Sequence, residues 1–214
     1  MKKLFENFRN FTEQDQNAKK YQIFCDMDGV LVDFVQGAAD QIAKDVEDPT
    51  LTSQKPTGGM TNLGKLRRIL EKTGATVDTS HIQKSSSKIN KAVRNYMYER
   101  LYDDREFWAN LPWIPGGREI WGAIADKDPF ILTAPMGTGS ELGKQDWIDK
   151  NLMPAPRQVF MSHDKWKWSE SNHILIDDFM KNIGPWREKG GIGIHHSEKN
   201  IDETLSELNK YIKF

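Results

Sequence analysis

Short apolar runs recur along the chain, each ending at a polar or glycine-rich turn: YQIFC at 21–25, FILT at 130–133, QVFM at 158–161, HILI at 173–176 and GIGIH at 191–195. Their length and β-branched content predict buried strands rather than helices. Helical patterns lie between them, in REIWGAIAD at 118–126 and ELGKQDWIDKNL at 141–152. The final run, IDETLSELNKYIKF, places Leu205, Leu208 and Ile212 on one face of a capped amphipathic helix. Strands alternating with helices imply right-handed crossovers and a parallel sheet, so the fold class is α/β.

The rhythm breaks between Val35 and Arg105, where helix-like pieces such as LGKLRRILEK and KINKAVRNYMYERLY replace strands. The loops joining them, DPTLTSQKPTGG at 48–59 and TSHIQKSSS at 79–87, are rich in Gly, Ser, Thr and Pro. Residues 35–105 therefore read as a helical insertion after the first strand, with 21–34 and 106–214 forming the core domain. From Lys55 to Arg100, basic residues (Lys65, Arg67, Arg68, Lys84, Lys88, Lys91 and Arg94 among them) outnumber acidic ones roughly three to one, a local field suited to anions.

Composition narrows the function classes. A chain of 214 residues can bury a proper core, and its net charge of −1 gives no global reason to expect nucleic acid or membrane as a partner. The single cysteine, Cys25, excludes an internal disulfide framework and fits a reducing compartment. No apolar run approaches the roughly 18 residues of a membrane span. In residues 1–20, Leu4, Phe5, Phe8 and Phe11 predict a short amphipathic N-terminal helix or tail, without the apolar stretch of a secretion signal. The expected location is cytoplasmic.

The candidate chemistry begins at IFCDMDGVLVDF, residues 23–34, where Asp26 and Asp28 stand at the end of a buried strand. Asp177 and Asp178 follow HILI in the same way. Ligands of parallel sheets sit at the carboxyl ends of strands. Four carboxylates gathered there repel one another unless a cation binds or protons are taken up, and Mg²⁺, hard and oxygen-seeking, is the natural solution. Gly29 permits a tight turn and close approach of a ligand. Other readings fail on spacing. A calcium-binding loop beginning at Asp26 needs Gly where Leu31 stands and Glu where Gly37 stands. A cysteine phosphatase needs an arginine near Leu31. The Gly59-to-Lys65 match to a phosphate-binding loop lacks the following Ser or Thr and any preceding strand. His163, His173, His195 and His196 have no metal-ligand spacing and are expected at surfaces or turns. KWKW at 165–168 mixes cation and aromatic as a nucleic-acid groove does, over a short span.

DMDGVLVDF at 26–34, ILTAP at 131–135, the lysine of HDKW at 163–166 and ILIDD at 174–178 occur in the order of the four motifs of the haloacid dehalogenase (HAD) superfamily. Within it the chain most resembles the 5'(3')-deoxyribonucleotidases, also through FWANLPWIPGG at 107–117 and the KxxW of Lys144 to Trp147. The resemblance implies a HAD-like Rossmannoid parallel sheet flanked by helices, with a small helical cap inserted after the first strand. It makes Asp26 the nucleophile toward phosphorus and Asp28 the general acid and base. Mg²⁺ is then held by Asp26, Asp28 (through its carbonyl) and Asp177, with Asp178 in support. Thr133, Lys165 and Lys144 bind phosphate. Phe34, Phe107 and Met136 meet the nucleoside under the cap. Ala134 stands where the relatives carry serine, and no tryptophan lies between Asp40 and Arg105. The implied reaction is Mg²⁺-dependent hydrolysis of nucleoside 5'-monophosphates, with a small phosphomonoester as partner and no nucleic acid; a homodimer is compatible with it. A phosphatase for another small phosphomonoester, such as a sugar phosphate, and a nucleic-acid end-processing or binding protein are the competing readings.

Overall fold

The computed structural model describes residues 21–82 and 86–214, so the expected N-terminal helix lies outside the described residues. Five strands, β1 (Gln22–Cys25), β2 (Phe130–Thr133), β3 (Gln158–Met161), β4 (His173–Asp177) and β5 (Ile192–His195), form one sheet in the order β3-β2-β1-β4-β5. All neighbouring strands are parallel. The helices are α1 (Phe34–Glu47), α2 (Asn62–Thr73), α3 (Thr79–Ile82), α4 (Lys88–Leu101), α5 (Arg105–Ala109), α6 (Gly117–Ile124), α7 (Thr138–Asn151), α8 (Met180–Glu188) and α9 (Ile201–Leu208). Short 3₁₀ turns occupy Ala125–Lys127 and Lys165–Trp168. This is the expected fold class, a parallel α/β sheet flanked by helices with a helical cap after the first strand.

The strands read as continuous apolar runs because both faces of the sheet are covered. Ile23, Cys25, Ile131, Ile174 and Ile176 face a large core with Trp108, Ile120 and Trp147. Phe24, Leu132 and Leu175 point the other way, onto Ile183 and Trp186. The register sets Cys25 level with Ile131 and Ile176, so Asp26 and Asp177 leave the sheet at the same height. Because β2 and β3 lie on one side of β1 and β4 and β5 on the other, the strand order reverses at β1, opening a crevice at that edge.

The cap has its own core, in which Ala38, Ile42, Leu66, Val93, Met97 and Leu101 pack together. Its helices start where the chain offers an N-cap side chain: Asp33 accepts from the Gln36 N–H, Thr61 from Gly64 and Ser87 from Asn90. Phe34 and Phe107 pack against both cores and form the hinge. The Gly59–Lys65 stretch is structural. Helix α2 begins inside it, and a Cβ on Gly64 would lie 2.3 Å from the Ser53 carbonyl oxygen.

Three expectations need correction. Helix α9 stops at Leu208, and Ile212 reaches the core from a turn in which Tyr211 meets Tyr21 edge-on at 5.6 Å. His196 is buried, not at a surface; it pairs with the Thr204 hydroxyl at 2.9 Å, and burial pushes it down to about 4, so it is neutral. Arg67 is not part of an open anion field. Its guanidinium donates to the carbonyls of Asp45 (2.8 Å), Val46 (2.9 Å), Leu51 (2.7 Å) and Asp48 and to the Ser53 hydroxyl (2.9 Å). It thereby satisfies the end of α1 and the loop that follows. Arg67→Ala should lower the unfolding free energy by about 3 kcal/mol, because several partly buried carbonyls lose a charged donor at once. Arg67→Lys should recover only part, since an ammonium cannot span the same fork. Urea denaturation followed by circular dichroism measures both; a loss under about 1 kcal/mol for the alanine variant would show that the loop holds without it.

Candidate active site

Beyond β1 the backbone curls tightly, with the Met27 carbonyl accepting from the Leu31 N–H at 2.8 Å and from Val32 at 3.0 Å. Met27 turns into the core, leaving Asp26 and Asp28 outside it. Gly29, at φ +74°, makes the curl possible and leaves room for a neighbour: a Cβ there would lie 2.4 Å from an Asp178 carboxylate oxygen.

Two buried lysines divide the carboxylates between them. The Lys165 ammonium sits between Asp26 Oδ1 and Asp177 Oδ2, 2.7 Å from each. Burial works against its charge, but the two carboxylates outweigh burial and hold it protonated beyond the usual lysine range. Asp26 Oδ1 also accepts the Met27 N–H at 2.7 Å. Lys144, fully buried, directs its three N–H donors at Asp28 Oδ2 (2.6 Å), Thr133 Oγ1 (2.9 Å) and the Ala134 carbonyl (2.8 Å). Asp28 Oδ1 is buried without a hydrogen-bond partner among the described residues. Burial raises the Asp28 pKa, with Lys144 opposing the shift.

Four carboxylates thus face two ammonium groups. Oxygens of Asp26, Asp177 and Asp178 lie within 4.8 Å of one another. Asp177 is pushed up to about 6 by burial and then by Asp26, despite Lys165. Asp178 is largely exposed as a residue, yet desolvation of its carboxyl and the charges of Asp26 and Asp177 push it up to about 7. Such a set, short of two positive charges and supplying only hard oxygens, fits a divalent cation of the magnesium type. Asp26, Asp177 and Asp178 would hold it through their side chains.

Thr133, Lys144, Lys165 and the four aspartates therefore converge at one end of the sheet. Met136 lies on the loop after β2, its N–H donated to Ser140 Oγ at 2.6 Å. Phe34 and Phe107 lie where the cap joins the core. The Phe34 ring stacks on Trp108 at 5.1 Å and 9°, and Phe107 meets both edge-on. The Lys144 ammonium is 5.1 Å from the Trp108 ring, so the aromatic group adjoins this buried lysine. In KWKW, Lys165 turns inward while Trp166 stays exposed beneath Lys167 and Lys189.

Sequence reasoning missed Asn182 and Ser140. Asn182 donates to both Asp177 oxygens at 3.0 Å, fixing the carboxylate plane. Its signal was an amide one turn into the helix that follows the second aspartate pair. Ser140 Oγ accepts from the Met136 and Gly137 N–H groups and so locks the loop after Thr133. A cavity of about 450 Å³ lined by Asp40, Lys44, Arg100, Asp104 and Phe107 includes none of the four strand-end aspartates.

No family model and no curated protein matches the chain. Solved structures do. A HAD-superfamily hydrolase of subfamily IA from Geobacter sulfurreducens PCA aligns with TM-score 0.46 and 14% identity over 88% of this chain and 98% of that one. A HAD family hydrolase from Deinococcus radiodurans R1, solved with phosphate and sodium, gives 0.45 and 11% over 90% and 95%. An L-2-haloacid dehalogenase from Xanthobacter autotrophicus gives 0.45 and 14% over 82% and 76%. These values describe a similar general chain path and carry nothing about substrate.

Proposed function

We propose that the chain is a Mg²⁺-dependent phosphomonoesterase acting on nucleoside 5'-monophosphates, deoxyribonucleotides above all, through an aspartyl-phosphate at Asp26. The observation that carries this reading is the placement of Asp28: two residues beyond Asp26, gripped by Lys144 on one oxygen and, among the described residues, unpartnered on the other. A second carboxyl so close to the nucleophile is what a leaving alcohol requires and what a halide leaving group does not.

In this reading Lys165 and the Met27 N–H hold Asp26 Oδ1, leaving Oδ2 to attack. Its bond to phosphorus forms as the bond from phosphorus to the ester oxygen breaks, and Asp28 gives its proton to the departing alkoxide. Asp28 then takes a proton from water, whose oxygen attacks phosphorus and releases Asp26 and inorganic phosphate. Thr133 Oγ1, Lys144 and Lys165 bind the phosphoryl oxygens, over which the transition state spreads its charge. A bound Mg²⁺ supplies further neutralisation of that charge. A phosphate arriving at Lys144 must replace one of the three acceptors that it now holds.

The substrate rests on the aromatic hinge. Trp108 covers one face of Phe34, and a base stacked on the rest of that ring would gain roughly 1–3 kcal/mol. A smaller phosphomonoester, such as a sugar phosphate, remains the second reading, because Trp108 already fills the stacking position that a base would use.

Asp26→Asn should abolish turnover in folded protein, since an amide is a poor nucleophile. Appreciable hydrolysis by that variant would exclude the covalent route. Chelating divalent metal should stop catalysis, and Mg²⁺ should restore it better than Ca²⁺, whose looser coordination misplaces nucleophile and phosphate. Phe34→Ala should reduce kcat/KM on thymidine 5'-monophosphate by roughly 5- to 150-fold while barely changing cleavage of a small aryl phosphate. Equal losses on both would make Phe34 a packing residue, and a wild-type protein that cleaves only sugar phosphates would establish the second reading.

The raised pKa values of Asp177 and Asp178 set a pH dependence. Between about 4 and 7 the folded, metal-free protein holds protons that the unfolded chain has released, so its stability should fall as pH rises through that window. Mg²⁺, which needs the ionised carboxylates, should bind more tightly as pH rises from about 6 past 7 and offset the loss. Thermal denaturation from pH 5 to 8 with and without Mg²⁺ checks both signs.

A further inference from the structure

Not every cation of the cap is engaged as Arg67 is. Arg100 pairs with Asp45 and Asp104, but Lys65, Lys88 and Lys91 are exposed and form no ion pair among the described residues. Their positions follow from the helix they share or adjoin. In α4, Val93, Met97 and Leu101 face the cap core. Lys88, Lys91, Asn95, Tyr98 and Tyr102 recur every three or four residues on the opposite face and are all exposed, the tyrosines by 54% and 49%. They make one stripe about 21 Å long. Beside its outer half, Lys65 and Ile69 of α2 complete a groove of about 230 Å³ with Lys88, Lys91 and Asn95. Glu99, the carboxylate at its margin, is held by the Asn62 amide.

The other end of the stripe reaches the catalytic edge. A Cβ on Gly137 would lie 2.4 Å from the Tyr102 ring, and Gly137 belongs to the loop that leaves β2 just after Thr133. Cations thus lie at the far end, exposed aromatic rings follow, and the phosphate-side loop comes last.

We infer that this face of α4 binds single-stranded nucleic acid, a few nucleotides long, with one end directed to the loop after Thr133. Lysines supply charge for the backbone phosphates, and unpaired bases stack on Tyr98 and Tyr102. A duplex hides its base faces from such rings, whereas a single strand offers a stacking face at every base. The expectation of no nucleic-acid partner came from the net charge of the whole chain, which averages this local field away. The surface itself is independent of the phosphatase reading; only the orientation of a phosphorylated end rests on it.

The test is fluorescence anisotropy of the full chain with labelled (dT)12 carrying no terminal phosphate. Binding should weaken with salt, with log K falling by about 2 per unit of log[salt] if three phosphates are neutralised. The double variant Lys88→Glu/Lys91→Glu should weaken it at least about tenfold and flatten that slope. Tyr98→Ala should cost roughly 5- to 150-fold with the slope unchanged. These side chains are exposed, so circular dichroism should be unaltered, and hydrolysis of thymidine 5'-monophosphate should be too. Absence of binding at low salt, or binding indifferent to the lysine substitutions, would overturn the inference. So would polyglutamate binding as tightly as (dT)12 with Tyr98→Ala neutral, which would mark an acidic protein as the partner. Oligonucleotide binding without mononucleotide hydrolysis would leave the surface standing and remove the nucleotide reading of the phosphate site; hydrolysis without oligonucleotide binding would do the reverse.

Discussion

Mutual repulsion of the carboxylates at the ends of β1 and β4 is the constraint around which the acidic edge of the sheet is organised. The register of two parallel strands puts Asp26 and Asp177 at one height, and each strand adds a second aspartate from the turn that follows. Nothing in the sheet itself relieves this. Relief comes from elsewhere: Lys165 from the 3₁₀ turn after β3, Lys144 from α7, and the Asn182 amide from α8. Each donor arrives from a different segment, so those segments have little freedom to move independently of the acidic group. The negative charge that remains is what a divalent cation at Asp26, Asp177 and Asp178 would offset.

Much of this was readable because it breaks a pattern. A charge at the end of an apolar run is anomalous whatever the fold, and Asp26, Asp28, Asp177 and Asp178 all stood out in that way. Thr133, the last residue of a predicted strand, and Lys165, in the turn beyond another, were named through the resemblance. Lys144 had no such signal, since a lysine in an amphipathic helix normally points to water; only the resemblance named it, and the structure buries it completely. Asn182 and Ser140 were passed over although their partners lie only three to five residues away, because fixing a carboxylate or a turn leaves no mark on the apolar periodicity.

The cap shows the opposite failure. Composition correctly found an excess of positive charge there, but counting cannot distinguish a guanidinium enclosed by carbonyls from an ammonium in water. Arg67 and Lys65 sit two residues apart on one helix, and their surroundings share nothing. Periodicity was likewise right about which residues of α9 face the core and wrong about how far the helix runs, because Tyr211 meets Tyr21 instead of continuing the spiral.

The strand order also bears on how the molecule assembles. Strand β1 finds its partners β2 and β4 only after more than about a hundred intervening residues, as the pairs Phe24 with Phe130 and Ile23 with Ile174 show. The cap lies inside the first of those closures and lengthens it about threefold, which adds only about 1 kcal/mol of closure entropy. Its own contacts are closer in sequence than those of the sheet, among helices within one continuous segment. A folding route that begins with local contacts therefore completes the cap before the sheet. The acidic edge, made from the two strands that meet over the longest separation, takes shape at the end of that route.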